Sequence, residues 1–308
     1  MNTPLKTVLI IVGPTASGKT DLSLDVASYF NTAVISADSR QCYRELHVGV
    51  AKPSDESLQS IKHYFINSHS IHDDVNAQVF EEYALNAVSE IFTKNDIAVM
   101  VGGTGLYIKS FCEGLDEIPE IDASIRNSII DSYNKNGLSW LQNEVQKKDP
   151  AFFKYAEQKN PQRLMRALEV ITATGNSIAS FRKKEKKQRD FRIIKLGINL
   201  PKEKLFYNID TRVDAMVSNG LLEEVRSLQP YRHLNALQTV GYTEVFSFLD
   251  GNISLMQAVG AIKSATRNYA KRQLTWFKKD TSIIWPNHNF FNKNAFQNTI
   301  VELLSSAD

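Results

Sequence analysis

An α/β fold, with a doubly wound, mainly parallel sheet and one helical insertion, follows from three features of the 308-residue sequence. Short continuous apolar runs at 8–12, 33–37, 97–101 and 193–200 read as strands buried on both faces. Helix-period patterns separate these runs, as strand-crossover-strand units require. Between 114 and 191 the strand signal stops and amphipathic helical patterns at 125–133, 138–145 and 162–172 replace it. The expected division is therefore a core of 1–113 and 192–308 carrying a helical insertion of 114–191, a normal size for a small domain.

The first run leads into Gly13-Pro14-Thr15-Ala16-Ser17-Gly18-Lys19-Thr20, the pattern G-x-x-x-x-G-K-T at a strand-to-helix turn. Glycines let the backbone curl until its N–H groups point inward, a lysine neutralises charge, and the Thr20 hydroxyl is a candidate Mg²⁺ ligand. Leu22, Val26 and Tyr29/Phe30 recur at helical spacing behind the loop, predicting a helix packed on the sheet. The core is thus expected to be P-loop NTPase-like.

The second run ends in Asp38-Ser39-Arg40-Gln41 and the third in Gly102-Gly103-Thr104-Gly105. Ligands of open α/β sheets gather at the carboxyl ends of strands, so Asp38 is expected in the same crevice as Lys19. There a carboxylate can accept a proton or hold a metal through water; the plain alternative is a turn aspartate or helix cap. The glycines of 102–105 can also serve simply to permit close packing. The third run lacks the terminal aspartate that many nucleotide-hydrolysing enzymes use to organise Mg²⁺. A diphosphate ester could fill the same nest, with Lys19, Mg²⁺ on Thr20 and Arg212 neutralising it as a leaving group; the plain alternative for Arg212 is a solvated helix arginine.

Beyond the insertion, helices are expected from 202, near 220–228 and over 255–276, with a fifth strand at 282–285. Lys263, Arg267 and Lys271 recur at i, i+4, i+8, a basic face suited to a nucleic-acid backbone, and no acid lies between Lys263 and Lys279 in sequence. Tyr269, Trp276 and Phe277 can either stack on unpaired bases or face the core, and the apolar stripe of Ile262, Ala265, Tyr269 and Trp276 favours the core. The basic run from Arg182 to Arg189, which includes Lys183 and Lys184, reads as a solvated linker.

Composition excludes several classes. No stretch approaches the ~20 apolar residues that cross a bilayer, and the first six residues are too short and polar to lead a secretion signal, so no membrane partner and a cytoplasmic location are expected. Cys42 and Cys112 are far apart and form neither a disulfide framework nor a zinc motif. His69 and His72 read as part of a polar loop. On these residues alone, an ATP-dependent kinase of small molecules or nucleotides and a non-catalytic RNA-binding module stay open as alternatives.

Taken in order, the phosphate loop, Ser36-Ala37-Asp38-Ser39-Arg40-Gln41-Cys42-Tyr43, Ala51-Lys52-Pro53, Gly102-Gly103-Thr104-Gly105-Leu106-Tyr107, Pro161-Gln162-Arg163, Val240-Gly241-Tyr242 and Thr266-Arg267-Asn268-Tyr269-Ala270-Lys271-Arg272-Gln273 resemble the bacterial tRNA dimethylallyltransferases. The resemblance spans nearly the whole chain. It implies transfer of a dimethylallyl group from dimethylallyl diphosphate to the exocyclic N6 amine of the adenosine 3′ of the anticodon, in tRNAs reading codons that begin with U. The implied partners are a tRNA anticodon stem-loop and the prenyl diphosphate, the implied cofactor is Mg²⁺, and a monomer is expected.

The resemblance also implies roles by position. Asp38 is the general base and Thr104 a contact to the reacting adenosine. Gly13, Thr15, Ala16, Ser17, Gly18, Lys19, Thr20 and Arg212 hold the diphosphate. Ser39, Arg40, Gln41, Arg126, Gln162, Arg163, Leu164, Met165 and Arg166 contact tRNA, and Lys263 and Arg267 add to that surface. Departures are modest: Cys42 replaces a larger aliphatic, Asn160 precedes Pro161 in place of a common aspartate, and Leu237-Gln238-Thr239 is less typical. Water must be kept from the allylic carbon, for which a moving helical insertion is a candidate lid.

Overall fold

A computed structural model describes residues 6–182, 185–286 and 299–304. Its strands are β1 (Thr7–Val12), β2 (Val34–Ser36), β3 (His63–Tyr64), β4 (Ile97–Gly102), β5 (Arg192–Gly197) and β6 (Ile283–Ile284). They form one sheet in the order β3-β2-β4-β1-β5-β6, and these pairings are parallel. All six residues of β1, TVLIIV, are buried, which is why an unbroken apolar run and not an alternating one encodes it.

Register decides where the chemistry falls. Val12 pairs with Gly102 on one side and Gly197 on the other, so β1, β4 and β5 end level. Ser36 pairs with Val101, bringing the end of β2 to the same rim. The chain passes from β1 outward to β2 and β3, returns through β4, and then crosses to β5. Strand order therefore reverses around β1, where open sheets of this class hold their ligands.

Two boundaries differ from expectation. β5 stops at Gly197 because β1 turns away at Gly13, leaving Ile198 and Leu200 buried but without a ladder to continue. β3 is only two residues long, too short to register as an apolar run.

The helices of the first half are α1 (Lys19–Tyr29), α2 (Asp55–Ser60), α3 (Ala77–Phe92) and α4 (Gly105–Glu113). On α1, Val26 is buried, and Leu22 and Phe30 pack on the sheet core, whereas Tyr29 is 52% exposed and does not join them.

The chain divides into two compact units, one of 1–112 with 188–308 and one of 113–187. The smaller unit holds α5 (Ala123–Lys148), α6 (Pro150–Phe153) and α7 (Pro161–Thr174). Gly137, at φ 74°, breaks α5 between its two amphipathic patterns. Asn160 caps α7 by accepting the Arg163 N–H at 3.2 Å, so the departure from aspartate keeps the capping chemistry. Ile129, Leu141, Val145, Leu164 and Leu168 form this unit's own core.

The larger unit continues with α8 (Lys202–Ser218), α9 (Leu221–Ser227), α10 (Tyr242–Leu249) and α11 (Leu255–Phe277). Ser254 and Gln257 cap α11 reciprocally, and α11 packs on α8. No helix among the described residues is long and apolar enough to cross a membrane.

Candidate active site

Between β1 and α1 the chain curls through two left-handed residues, Ala16 at φ 62° and Gly18 at φ 86°. Gly18 adopts this conformation freely, while Ala16 carries a cost of about 1–2 kcal/mol that its surroundings must offset. Two contacts from α8 hold the loop in that shape. Asn208 donates to the Ala16 carbonyl at 3.1 Å, and one turn later Arg212 donates to the Thr15 hydroxyl at 3.3 Å. The Lys19 ammonium folds onto the Pro14 carbonyl at 2.5 Å. Burial, aided by the neighbouring Arg212 charge and opposed by Asp38, lowers the Lys19 pKa to about 7. Burial also pulls Arg212 below its ordinary value. The Ser17 hydroxyl is buried without a hydrogen-bond partner among the described residues. A nest with two compressed cations and an orphan hydroxyl is built for an anion.

Asp38 leaves the end of β2 into a tight turn. Its Oδ1 accepts the N–H groups of Arg40 at 2.9 Å and Gln41 at 3.3 Å, so the turn aspartate and the crevice carboxylate are one residue. Thr104 locks onto the same turn: its N–H donates to the Ala37 carbonyl at 3.2 Å, and its hydroxyl accepts the Ser39 N–H at 3.1 Å. Tyr269 comes to the same place from α11, and burial, with Asp38 nearby, pushes its phenol up to about 12.

The glycines around Thr104 are explained by contact. A Cβ on Gly103 would lie 2.1 Å from the Gln273 amide nitrogen, and one on Gly105 would lie 2.2 Å from the Trp276 indole. Gln273 itself accepts the Thr15 N–H at 2.8 Å and donates to the Gly103 carbonyl at 3.0 Å. One face of α11 thus backs the whole site.

These groups share a cavity of about 420 Å³. Gly18, Lys19, Thr20 and Arg212 line it together with Asp38, Ser39, Arg40 and Gln41. Val50, Val213, Met216, Val240 and Ile262 give its wall an apolar part. An anion nest, a carboxylate and an apolar wall in one cavity suit a ligand with a charged head and a hydrocarbon tail.

Residues 41–280 match the family model described as IPP transferase. The chain belongs to that family. A tRNA dimethylallyltransferase of Christiangramia forsetii is 46% identical over 286 residues, 93% of this chain and 95% of the relative. The crystal structure of a full-length tRNA isopentenylpyrophosphate transferase from Bacillus halodurans superposes with a TM-score of 0.71 at 31% identity, covering 98% of this chain and 97% of that one. A eukaryotic dimethylallyltransferase captured acting on tRNA gives a TM-score of 0.79 at 25% identity, covering 98% of this chain and 80% of that one.

Among the remaining family positions the structure corrects several expectations. The basic face of α11 is largely neutralised: Lys263 pairs with Asp214 at 2.7 Å and Arg267 pairs with Asp210, both acids coming from α8. The positive groups of α11 outside ion pairs among the described residues include Lys271 and Arg272, and Arg272 reaches the cavity wall. Trp276 is 47% exposed over Gly105 and Tyr269 lines the cavity, so only Phe277 of the three expected aromatics is core. Leu164 and Met165 are buried in the smaller unit, which removes their side chains from any RNA surface. Gln162 and Arg163 are exposed. Arg166 donates to buried Glu169 at 3.1 Å, and Arg126 lies 3.8 Å from the same carboxylate. The Gln41 amide is engaged by Ser36 at 3.0 Å and by the Ala51 carbonyl at 3.0 Å, so it braces the cavity wall and is not free for RNA.

In the basic linker, Arg189 bonds Glu81 and the Phe111 carbonyl, each at 2.8 Å, and Lys186 pairs with Glu113 at 2.6 Å; Lys183 and Lys184 lie outside the described residues. Gln238 and Thr239, from the stretch less typical in sequence, line the cavity together with Val240 of the family-like string, while Leu237 is buried.

The described residues contain no cluster of three His, Cys, Asp or Glu side chains able to hold a metal. Mg²⁺ ordinarily takes only one or two protein oxygens with substrate phosphates and water. Thr20 and Asp38, both on the cavity wall, match that donor set, so the residues fit an ion that arrives with a diphosphate.

Proposed function

We infer that this protein is a tRNA dimethylallyltransferase that moves the dimethylallyl group of dimethylallyl diphosphate onto N6 of the adenosine 3′ of the anticodon, in tRNAs reading U-starting codons. The observation that carries this reading is the shared cavity, in which the anion nest of Lys19, Arg212 and Ser17 opens toward Asp38, whose turn Thr104 braces from behind through the Ser39 N–H. β4 ends in glycine, without the carboxylate of nucleotide-hydrolysing relatives of the fold, which argues against the kinase alternative.

The amine of adenine is a weak nucleophile, and a carboxylate cannot deprotonate it in advance. As its lone pair bonds the allylic carbon, the carbon–oxygen bond to the diphosphate breaks and the nitrogen becomes cationic and strongly acidic. Asp38 then takes the proton. Lys19 and Arg212 stabilise the negative charge growing on the leaving diphosphate, an interaction stronger in the transition state than in the ground state. Thr20 would hold Mg²⁺ beside the diphosphate, and the ion would supply further neutralisation of that charge. Thr104 contacts the base, and the apolar wall from Val50 to Ile262 excludes water from the allylic carbon. Because the adenosine is stacked in its loop, it must swing out of the stack to reach Asp38, at a cost of a few kcal/mol offset by backbone contacts.

Incubation of the protein with radiolabelled dimethylallyl diphosphate, Mg²⁺ and unmodified tRNA tests this directly. The expected result is label retained in tRNA with release of diphosphate. Phosphoryl transfer from ATP to a small acceptor, with no label in tRNA, would replace it by the kinase reading.

A further inference from the structure

We propose that Gln273 is a positioning residue that sets the distance between the diphosphate nest and the base-binding loop; its kinetic readout rests on the transferase reading above. The side chain is 7% exposed and makes two bonds, both to functional loops. Its Oε1 accepts the Thr15 N–H at 2.8 Å and its Nε2 donates to the Gly103 carbonyl at 3.0 Å. Thr15 is the residue whose hydroxyl accepts from Arg212, and Gly103 precedes Thr104, which holds the Asp38 turn through Ser39. A single amide therefore ties the two halves of the reaction together, leaving group on one side, nucleophile and base on the other.

Two features distinguish this from ordinary core polarity. The Thr15 N–H is spent on Gln273, so this N–H serves as the loop's anchor and is not available to the phosphate. The fit at Gly103 is too close for any Cβ, so the amide cannot slide along the loop. Displacements of about 1 Å can cost on the order of 10²-fold in rate when reacting groups must align.

Only a group that both accepts and donates can do this. A hydrocarbon does neither, and a carboxylate accepts but sets a negative oxygen against the Gly103 carbonyl. A protonated carboxyl accepts through C=O and donates through O–H, reproducing the amide. The ionisable groups sharing the cavity are Lys19 from α1, Arg212 from α8, Asp38 and Arg40 from the β2 turn, Asp21, and Tyr269 and Arg272 from α11 itself. Native and Gln273→Leu carry the same set of ionisable groups, so comparison with Gln273→Leu isolates what the added carboxyl of Gln273→Glu does.

The test uses the full chain with Gln273→Leu and Gln273→Glu. In Gln273→Leu, the Thr15 amide should exchange hydrogen faster than the accompanying fall in Tm accounts for, and kcat should fall on the order of 10²-fold with the KM for prenyl diphosphate within about threefold. In Gln273→Glu, kcat relative to native should recover as pH falls and be lost as pH rises, an ionisation absent from both native and Gln273→Leu. Thr15 exchange unchanged in Gln273→Leu, or a Gln273→Glu pH profile identical to that of Gln273→Leu, overturns the proposal. If native protein places no label in tRNA, the functional reading fails, and Thr15 exchange still decides the role of Gln273.

Discussion

Arg212 reaches the hydroxyl of Thr15 at 3.3 Å, and from there its charge adds to burial in depressing Lys19 in the same nest. Two like charges held together without an anion are a cost that a bound diphosphate removes. Lys19 titrates at about 7 in the ligand-free protein against 10.5 for free lysine. The unfolded chain thus binds the extra proton between these values, and stability of the ligand-free protein should rise as pH increases from about 7 toward 10.5. Diphosphate favours the charged lysine, so its binding should take up a proton above pH 7 and weaken as pH rises. Calorimetry of inorganic pyrophosphate binding in buffers of different ionisation enthalpy measures this uptake, which Lys19→Met should abolish.

Asp38→Asn separates the two tasks of that residue. An asparagine oxygen can still accept from the Arg40 and Gln41 N–H groups, so the turn should persist and Tm should change little. The amide cannot take a proton, and kcat should fall roughly 10²–10⁴-fold with tRNA affinity nearly unchanged. Single-turnover transfer and thermal melting of the same sample check both halves.

Arg267→Ala should act on stability more than on RNA. It strips the partner from Asp210, whose Oδ1 is already buried and unbonded, at a cost of about 1–3 kcal/mol in urea denaturation. Lys263→Ala, removing a more exposed pair, should cost less than about 1 kcal/mol. Neither should alter the salt dependence of tRNA binding, whereas Lys271→Ala and Arg272→Ala should each reduce its slope by about one.

In the smaller unit, adjacent residues should behave oppositely. Leu164 is fully buried, so Leu164→Ala should destabilise the unit by roughly 2–5 kcal/mol. Exposed Arg163→Ala should leave stability within about 0.5 kcal/mol and weaken tRNA binding. Equal effects on stability would contradict the burial pattern.

The contrast between these neighbours shows what a linear reading can reach. The phosphate loop, Asp38 and the 102–105 loop are legible because strand ends in an open sheet converge, whereas Arg212, within α8, is pointed to only by the family resemblance. Gln162, Arg163, Leu164, Met165 and Arg166 are contiguous in sequence but not one surface, because a 3.6-residue period sends Leu164 and Met165 inward. The neutral face of α11 was hidden for another reason: Asp210 and Asp214 lie 57 and 49 residues from their partners, on a different helix. Periodicity shows which face of a helix a residue occupies, not what stands opposite. Gln273 left one faint signal, a polar side chain one turn after Tyr269 on a helix whose other inward positions are apolar.

The clamps on the phosphate loop come from far along the chain, Arg212 being 197 residues and Gln273 258 residues from Thr15. On the ribosome the loop emerges early and waits for both. A nascent or truncated polypeptide carries the motif without these two clamps. Competence arrives only when synthesis has passed the last long helix, and an early stop codon should yield an inert product and not a leaky one.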